Sequence, residues 1–162
     1  MGNPAHLRIL QQGVLAWNEW RRRHPEETPE LSGANLDKAQ LEGVNLERAD
    51  LTYASLADAD LRGSILTRGN LTGANLDRAN LSGACLDHAV LTHAVLVHAN
   101  FAGAVLTGAR LGHADLRWAD LCRAILRDAH LAHADLMDAD VRSADLTGTT
   151  GVPKRVSTRK RV

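Results

Sequence analysis

The sequence predicts an all-β solenoid, a coil that turns a corner every five residues and keeps alanine and leucine inside. Three observations predict it. Leucine occupies every fifth position from Leu31 to Leu146 in 22 of 24 cases, with Phe101 and Val141 filling the other two. Alanine stands two residues earlier in 20 of the 24, the exceptions being Pro29, Val44, Ser64 and Gly69. Every charged residue between 29 and 148 falls on the other three positions of its repeat. A five-residue period fits neither regular element. On a helix each step would turn the next leucine by about 140°, and on a flat strand successive leucines would alternate faces. Alanine and leucine two residues apart do point the same way on an extended segment, so a corner after each unit brings all of them into one core.

The residue between alanine and leucine is Asp or Asn in 13 of 24 repeats, as in Ala34-Asn35-Leu36, Ala74-Asn75-Leu76 and Ala119-Asp120-Leu121. These tandem A(D/N)Lxx units resemble the pentapeptide-repeat proteins. The resemblance covers residues 29–148 and implies a right-handed, quadrilateral β-helix. With four sides the repeats make about six coils, and at a spacing of ~4.8 Å the rod is roughly 29 Å long.

Residues 1–28 read as an N-terminal helix and an extended connector. Asn3-Pro4 is a helix start, with Asn as cap and Pro in the first turn, and Leu7, Leu10, Val14 and Trp17 follow at helical spacing. Gly13 weakens that helix by about 1 kcal/mol relative to alanine. Arg21, Arg22 and Arg23 suit the negative end of its dipole. The stretch Leu10 to Val14 with Trp17-Asn18-Glu19-Trp20-Arg21 resembles a segment ahead of the repeats in many bacterial members, which implies a bacterial source. A solenoid needs its open end covered, so an α-helix cap over the first coil is the expected role. The alternative is a docking helix, with Trp17 and Trp20 as contacts.

After Leu146 the register is expected to fail, because Thr149 and Gly151 stand where alanine and leucine belong. Residues 149–162 form a basic C-terminal tail of net charge +5, against −6 for residues 29–148 and +1 for the first 28. No aromatic residue interleaves the tail, so base stacking has no support and nucleic acid is not the expected partner. No apolar run approaches the ~18 residues that span a bilayer. Cys85 and Cys122 read as free thiols. A cytoplasmic protein is expected.

Chemistry on such a rod should appear as ladders with a step of 20. Gly43, Gly63, Gly83 and Gly103 form one, read as tolerating a tight corner. His93, His113 and His133 form another. Imidazoles ~4.8 Å apart invite a zinc ion, but no cysteine or carboxylate completes a cage, so no metal and no cofactor is expected. Ile65, Cys85, Val105 and Ile125 take the Asp/Asn position on one side, and residues 89–108, the fourth coil, hold no Asp, Glu, Lys or Arg. Val90, Val95, Val97 and Val105 there are the candidate interaction surface. No nucleophile–base arrangement, phosphate loop or cleft is legible, and acids such as Asp115, Asp120, Asp135, Asp138 and Asp140 sit on a convex, solvated rod. The expected function is therefore non-enzymatic, a protein-interaction or scaffold module with a protein partner of unreadable identity, or with itself. The rival comes from the resemblance, some members of which mimic DNA and bind DNA gyrase, conferring quinolone resistance. Ten bases among the 16 acids of residues 29–148 and the uncharged fourth coil weigh against it.

Overall fold

The computed structural model describes residues 2–152. Two helices, α1 (Pro4–Gln11) and α2 (Val14–Arg23), precede a coiled chain in which every fifth residue from Glu30 to His130 forms a parallel bridge with the residue 20 further on. Twenty residues per turn and five per repeat make the coil four-sided. Coil one is residues 29–48 and coil six is residues 129–148. Each side is named here for its leucine in coil one: the Leu31, Leu36, Leu41 and Leu46 faces.

The backbone of one repeat shows why five residues suffice. Ala74 N–H donates to Leu71 C=O at 3.0 Å and closes a turn. Asn75 N–H reaches back to Ala54 C=O at 2.9 Å, while Leu76 and Arg78 donate forward to Val95 at 2.7 Å and Val97 at 2.9 Å. The fifth donor, Asp77 N–H, is taken by Asn75 Oδ1 at 3.1 Å. No amide is left over, which is what burial of the neighbouring leucines demands. All 13 Asp and Asn residues at this position make the same bond to the amide two residues on, from Asn35 to Asp145. The sequence preference is thus a side-chain clamp on the turn. Among the described residues no strand extends beyond a single bridged position, so the sheet of the expected all-β fold is reduced to four ladders of isolated bridges.

Corners depart from expectation. The third residue of all 24 turns has positive φ, and 16 of those residues are not glycine, among them His93 (60°), Trp118 (58°) and Tyr53 (55°). A turn of this kind favours glycine there. The Gly43 ladder therefore does not mark a special corner; it marks the corner without side chains, where an added Cβ would meet nothing within 4 Å at Gly43, Gly63, Gly83 or Gly103.

The core is leucine and alanine, with Phe101 and Trp17 also fully buried. Ser64 is the one polar residue of the alanine layer, and its hydroxyl has no partner. The expected single N-terminal helix is two, because Gly13 takes φ 103° and breaks it; Asn3 caps the first as expected, accepting from Ala5 N–H at 2.9 Å. Together they cover the end of coil one. Trp17 Nε1 donates to Asn45 C=O at 2.7 Å. Asn18 accepts from Asn45 N–H at 2.8 Å and donates to Gly43 C=O at 3.0 Å, imitating a preceding coil. Glu30 N–H donates to Nδ1 of buried His6, whose Nε2 then donates to Glu27 at 2.9 Å. At the other end the register persists past Leu146, since Thr150 still bridges His130. The basic residues from Lys154 to Arg161 lie outside the described residues.

Candidate functional site

Each face carries an outward column, one residue per coil. On the Leu31 face it runs Glu30, Asp50, Asn70, Val90, Arg110, His130; on the Leu36 face Asn35, Ser55, Asn75, Val95, Asp115, Asp135. The four valines of the uncharged coil consequently do not meet. Val90 lies on the Leu31 face, Val95 and Val97 on the Leu36 face, and Val105 on the Leu46 face. Only Val95 and Val97 share a side, where Val95 is exposed, near the stacked pair His98–Trp118 (centroids 5.2 Å) and exposed Met137. Of the two tryptophans, Trp17 is wholly buried in the cap. Trp20 is half-buried, tilted against Trp17 (4.9 Å) and His6 (4.8 Å) and stacked on His24 (5.5 Å).

The Leu46 face brings together what the valine list scattered. Its column runs Asn45, Ile65, Cys85, Val105, Ile125, Asp145, with Ile65 bridged to Cys85, Cys85 to Val105 and Val105 to Ile125. Four consecutive coils thus present an unbroken apolar line, with Ile65 40% exposed, between polar ends. One border is the glycine corner of coils one to four, continued by Arg123 in coil five and Ser143 in coil six. The other carries Thr67, Asp87, Thr107 and Arg127, then Arg68, His88, Gly108 and Asp128 at the next corner. In these four repeats the side-chain clamp is absent, so the amides of Thr67, Asp87, Thr107 and Arg127 have no protein partner among the described residues. A hydrogen bond of this kind contributes about 0.5–1.5 kcal/mol. Stability of the scaffold therefore argues against an apolar residue at each of the four positions, and it recurs four times in line.

Cys85 sits in that column, half-buried and free, like Cys122. Burial raises its thiol pKa, and Asp87 beside it pushes the same way, with Sγ 3.6 Å from the carboxylate. It is a small apolar side chain here, not a nucleophile.

The histidine ladder is a stack. His93, His113 and His133 lie with ring centroids 4.8 Å apart and planes within 14° and 18°. Metal–nitrogen bonds lie in the ring plane and are ~2.0–2.1 Å long. Parallel rings at this spacing cannot converge on one ion, and no group of three or more metal-ligating residues occurs among the described residues. Beside the stack, Thr92, Gly108, Arg110, Gly112, His130 and Ala132 line a shallow depression of about 560 Å³.

Two of the acids near the C-terminal end are held in close ion pairs. Asp115 pairs with Arg117 at 2.6 Å and Asp140 with Arg142 at 2.6 Å. The Arg117 hydrogen bond holds the Asp115 carboxyl below the ordinary range, the opposite of what a general acid at neutral pH needs.

Residues 30–150 match the family model for pentapeptide repeats in four overlapping segments, 30–68, 54–92, 84–121 and 114–150. The chain is a pentapeptide-repeat protein. Among solved structures, this pentapeptide-repeat chain is 38% identical to HetL, a pentapeptide repeat protein involved in heterocyst differentiation regulation from the cyanobacterium Nostoc sp. strain PCC 7120. The match covers 73% of this chain and 62% of HetL, with a TM-score of 0.49. It is 31% identical to alr5209 from the same strain, over 62% of this chain and 83% of that one, with a TM-score of 0.49. QnrB1, a plasmid-mediated fluoroquinolone resistance protein, is 22% identical over 75% of this chain and 69% of its own, with a TM-score of 0.45. No curated protein sequence matches. The pentapeptide-repeat chain thus spans about three fifths of HetL's length. No described helix is long and apolar enough to cross a membrane.

Proposed function

We propose that this chain is a non-enzymatic interaction scaffold whose working surface is the apolar column of the Leu46 face. The observation behind it is the unbroken run of apolar residues at Ile65, Cys85, Val105 and Ile125, the longest of any outward column, which forgoes the turn clamp in four consecutive coils and leaves a flat apolar strip with polar ends. Contiguous apolar surface rimmed by polar residues is the usual mark of a protein contact. Two free cysteines fit a reducing, cytoplasmic setting.

Ile65→Glu with Val105→Lys charges this strip; Val95→Glu with Val97→Lys charges the opposite face. Both pairs point outward and should leave the melting temperature within about 3 °C, as surface changes of ~0.5 kcal/mol do. Capture of protein partners from the source organism should fail with the first pair and persist with the second. Equal capture by both would move the working surface elsewhere. The DNA-mimic reading has the net charge of −6 over residues 29–148 behind it. A gyrase supercoiling assay separates the two, since the scaffold reading expects no effect.

A further inference from the structure

We infer that the occupant of the Leu46 face is a second copy of this chain, packed face to face and antiparallel about a dyad between coils three and four. The inference rests on the proposal that this face is the working surface, and it adds the partner.

A two-fold interface must be self-complementary, each residue i meeting j while j meets i. With a dyad at right angles to the rod, coil two lies over coil five of the second copy and coil three over coil four. The apolar column then meets itself, Ile65 against Ile125 and Cys85 against Val105. The glycine corner meets itself at the dyad, with Gly83 opposite Gly103, so two backbones approach there with no side chain between them, while Gly63 leaves room for Arg123 of the second copy. At the other border Arg68 comes opposite Asp128 of the second copy, and the symmetry makes this pair twice. Both are exposed, and neither makes an ion pair within its own chain among the described residues. No like charges face each other in this register: Asn45 meets Asp145, Thr67 meets Arg127 and Asp87 meets Thr107.

The parallel arrangement is worse. It pairs Asp128 with Arg123, but it sets Asp145 against its own copy and leaves Arg68 opposite Gly63. Area is sufficient: a standard interface takes ~800 Å² from each partner, about a tenth of the 8388 Å² accessible here, and one of four faces supplies it.

Sedimentation equilibrium of the full chain over a concentration series reads the association directly. The wild type should form dimers. Arg68→Asp alone and Asp128→Arg alone each create two like-charge contacts and should weaken dimerisation by about tenfold or more. The double reversal, Arg68→Asp with Asp128→Arg, should restore it. Both substitutions sit on exposed corners, and unchanged thermal melts of the three variants show that folding is not at issue. A wild type that stays monomeric throughout overturns the inference. So does a double reversal no better than the single ones, or rescue of Asp128→Arg by Arg123→Asp, which is the parallel register. If the wild type is monomeric while Ile65→Glu with Val105→Lys still abolishes capture of another protein, the working surface stands and only its occupant is wrong.

Discussion

The two ends of the rod solve the same problem unequally. At the N-terminal end, Trp17, Asn18, Arg21 and His6 take up backbone groups of coil one or its connector, and Leu10 and Trp17 close the core. Arg21 does this buried, its guanidinium donating to Glu27 and Glu47 carbonyls, and burial lowers its pKa. Coil six has no such cover among the described residues. The amides of Leu136, Val141 and Leu146, which would donate to a following coil, find no partner there. Val141 and Leu146 are partly exposed although they belong to the leucine columns. One end is sealed by side chains that imitate a coil, while at the other the described rod simply stops, so stability should fall along the rod from coil one to coil six.

The hardest test of that gradient compares the middle with the bare end. Leu76→Asp buries an uncompensated charge among leucines that are 0% exposed, and should cost upwards of about 4 kcal/mol. Leu146→Asp can turn its carboxylate to water and should cost about 1–2 kcal/mol. Urea unfolding of both reads the difference, and equal losses would mean that the gradient is absent.

Removing the seal comes next. Trp17→Ala empties the cap of its largest side chain and should cost about 3–5 kcal/mol. Hydrogen exchange should show coil one losing protection while coil four keeps it. Smaller again is His6→Ala, which strands the Glu30 amide and should cost about 1–3 kcal/mol in the same melts.

The smallest effect is electrostatic. Asp145 is held down to about 2, below its ordinary 3.8, by the Thr147 hydroxyl and amide and then by Arg127 at 2.5 Å. Glu19 on α2 is lowered from 4.5 to about 2, chiefly by its hydrogen bond to Arg22, with Arg23 adding to it. A depressed carboxylate stabilises fully above its unfolded pKa and loses that contribution as the pH falls through the folded one. Both ends should therefore weaken between roughly pH 4 and pH 2, only slightly because both groups remain in contact with water, which screens their ion pairs. Exchange rates near Thr147 at pH 5 and pH 2.5 check the C-terminal half of this.

Nearly all of the coil was legible because a strict period leaves one way to bury leucine. Val90, Val95, Val97 and Val105 show where such reading weakens. They stand close in sequence within one coil, but a side belongs to residues 20 apart, so the contiguous apolar line runs through Ile65, Cys85, Val105 and Ile125. That column was visible as a break in the Asp/Asn pattern; what it forfeits was not, since the clamp appears only when Asn75 is seen holding the Asp77 amide. His6 and Arg21 gave no signal, because a lone histidine and an arginine in a basic run look solvated until the cap folds over them. Gly13 was read as a weak point, and the chain uses it as a break.

The clamp and the corner are built alike on all four sides, and this makes the rod blind to rotation. Insert one five-residue unit between coils three and four and every leucine still finds the core, the amides that bond to a neighbouring coil still do so, and the melting curve hardly changes. Yet everything downstream has turned by a quarter: Val105 and Ile125 move to a neighbouring side, and the line that began at Ile65 ends at Cys85. Insert twenty residues and the line is longer but whole. Length changes in this molecule are angular displacements, invisible to folding and legible only to whatever touches the surface.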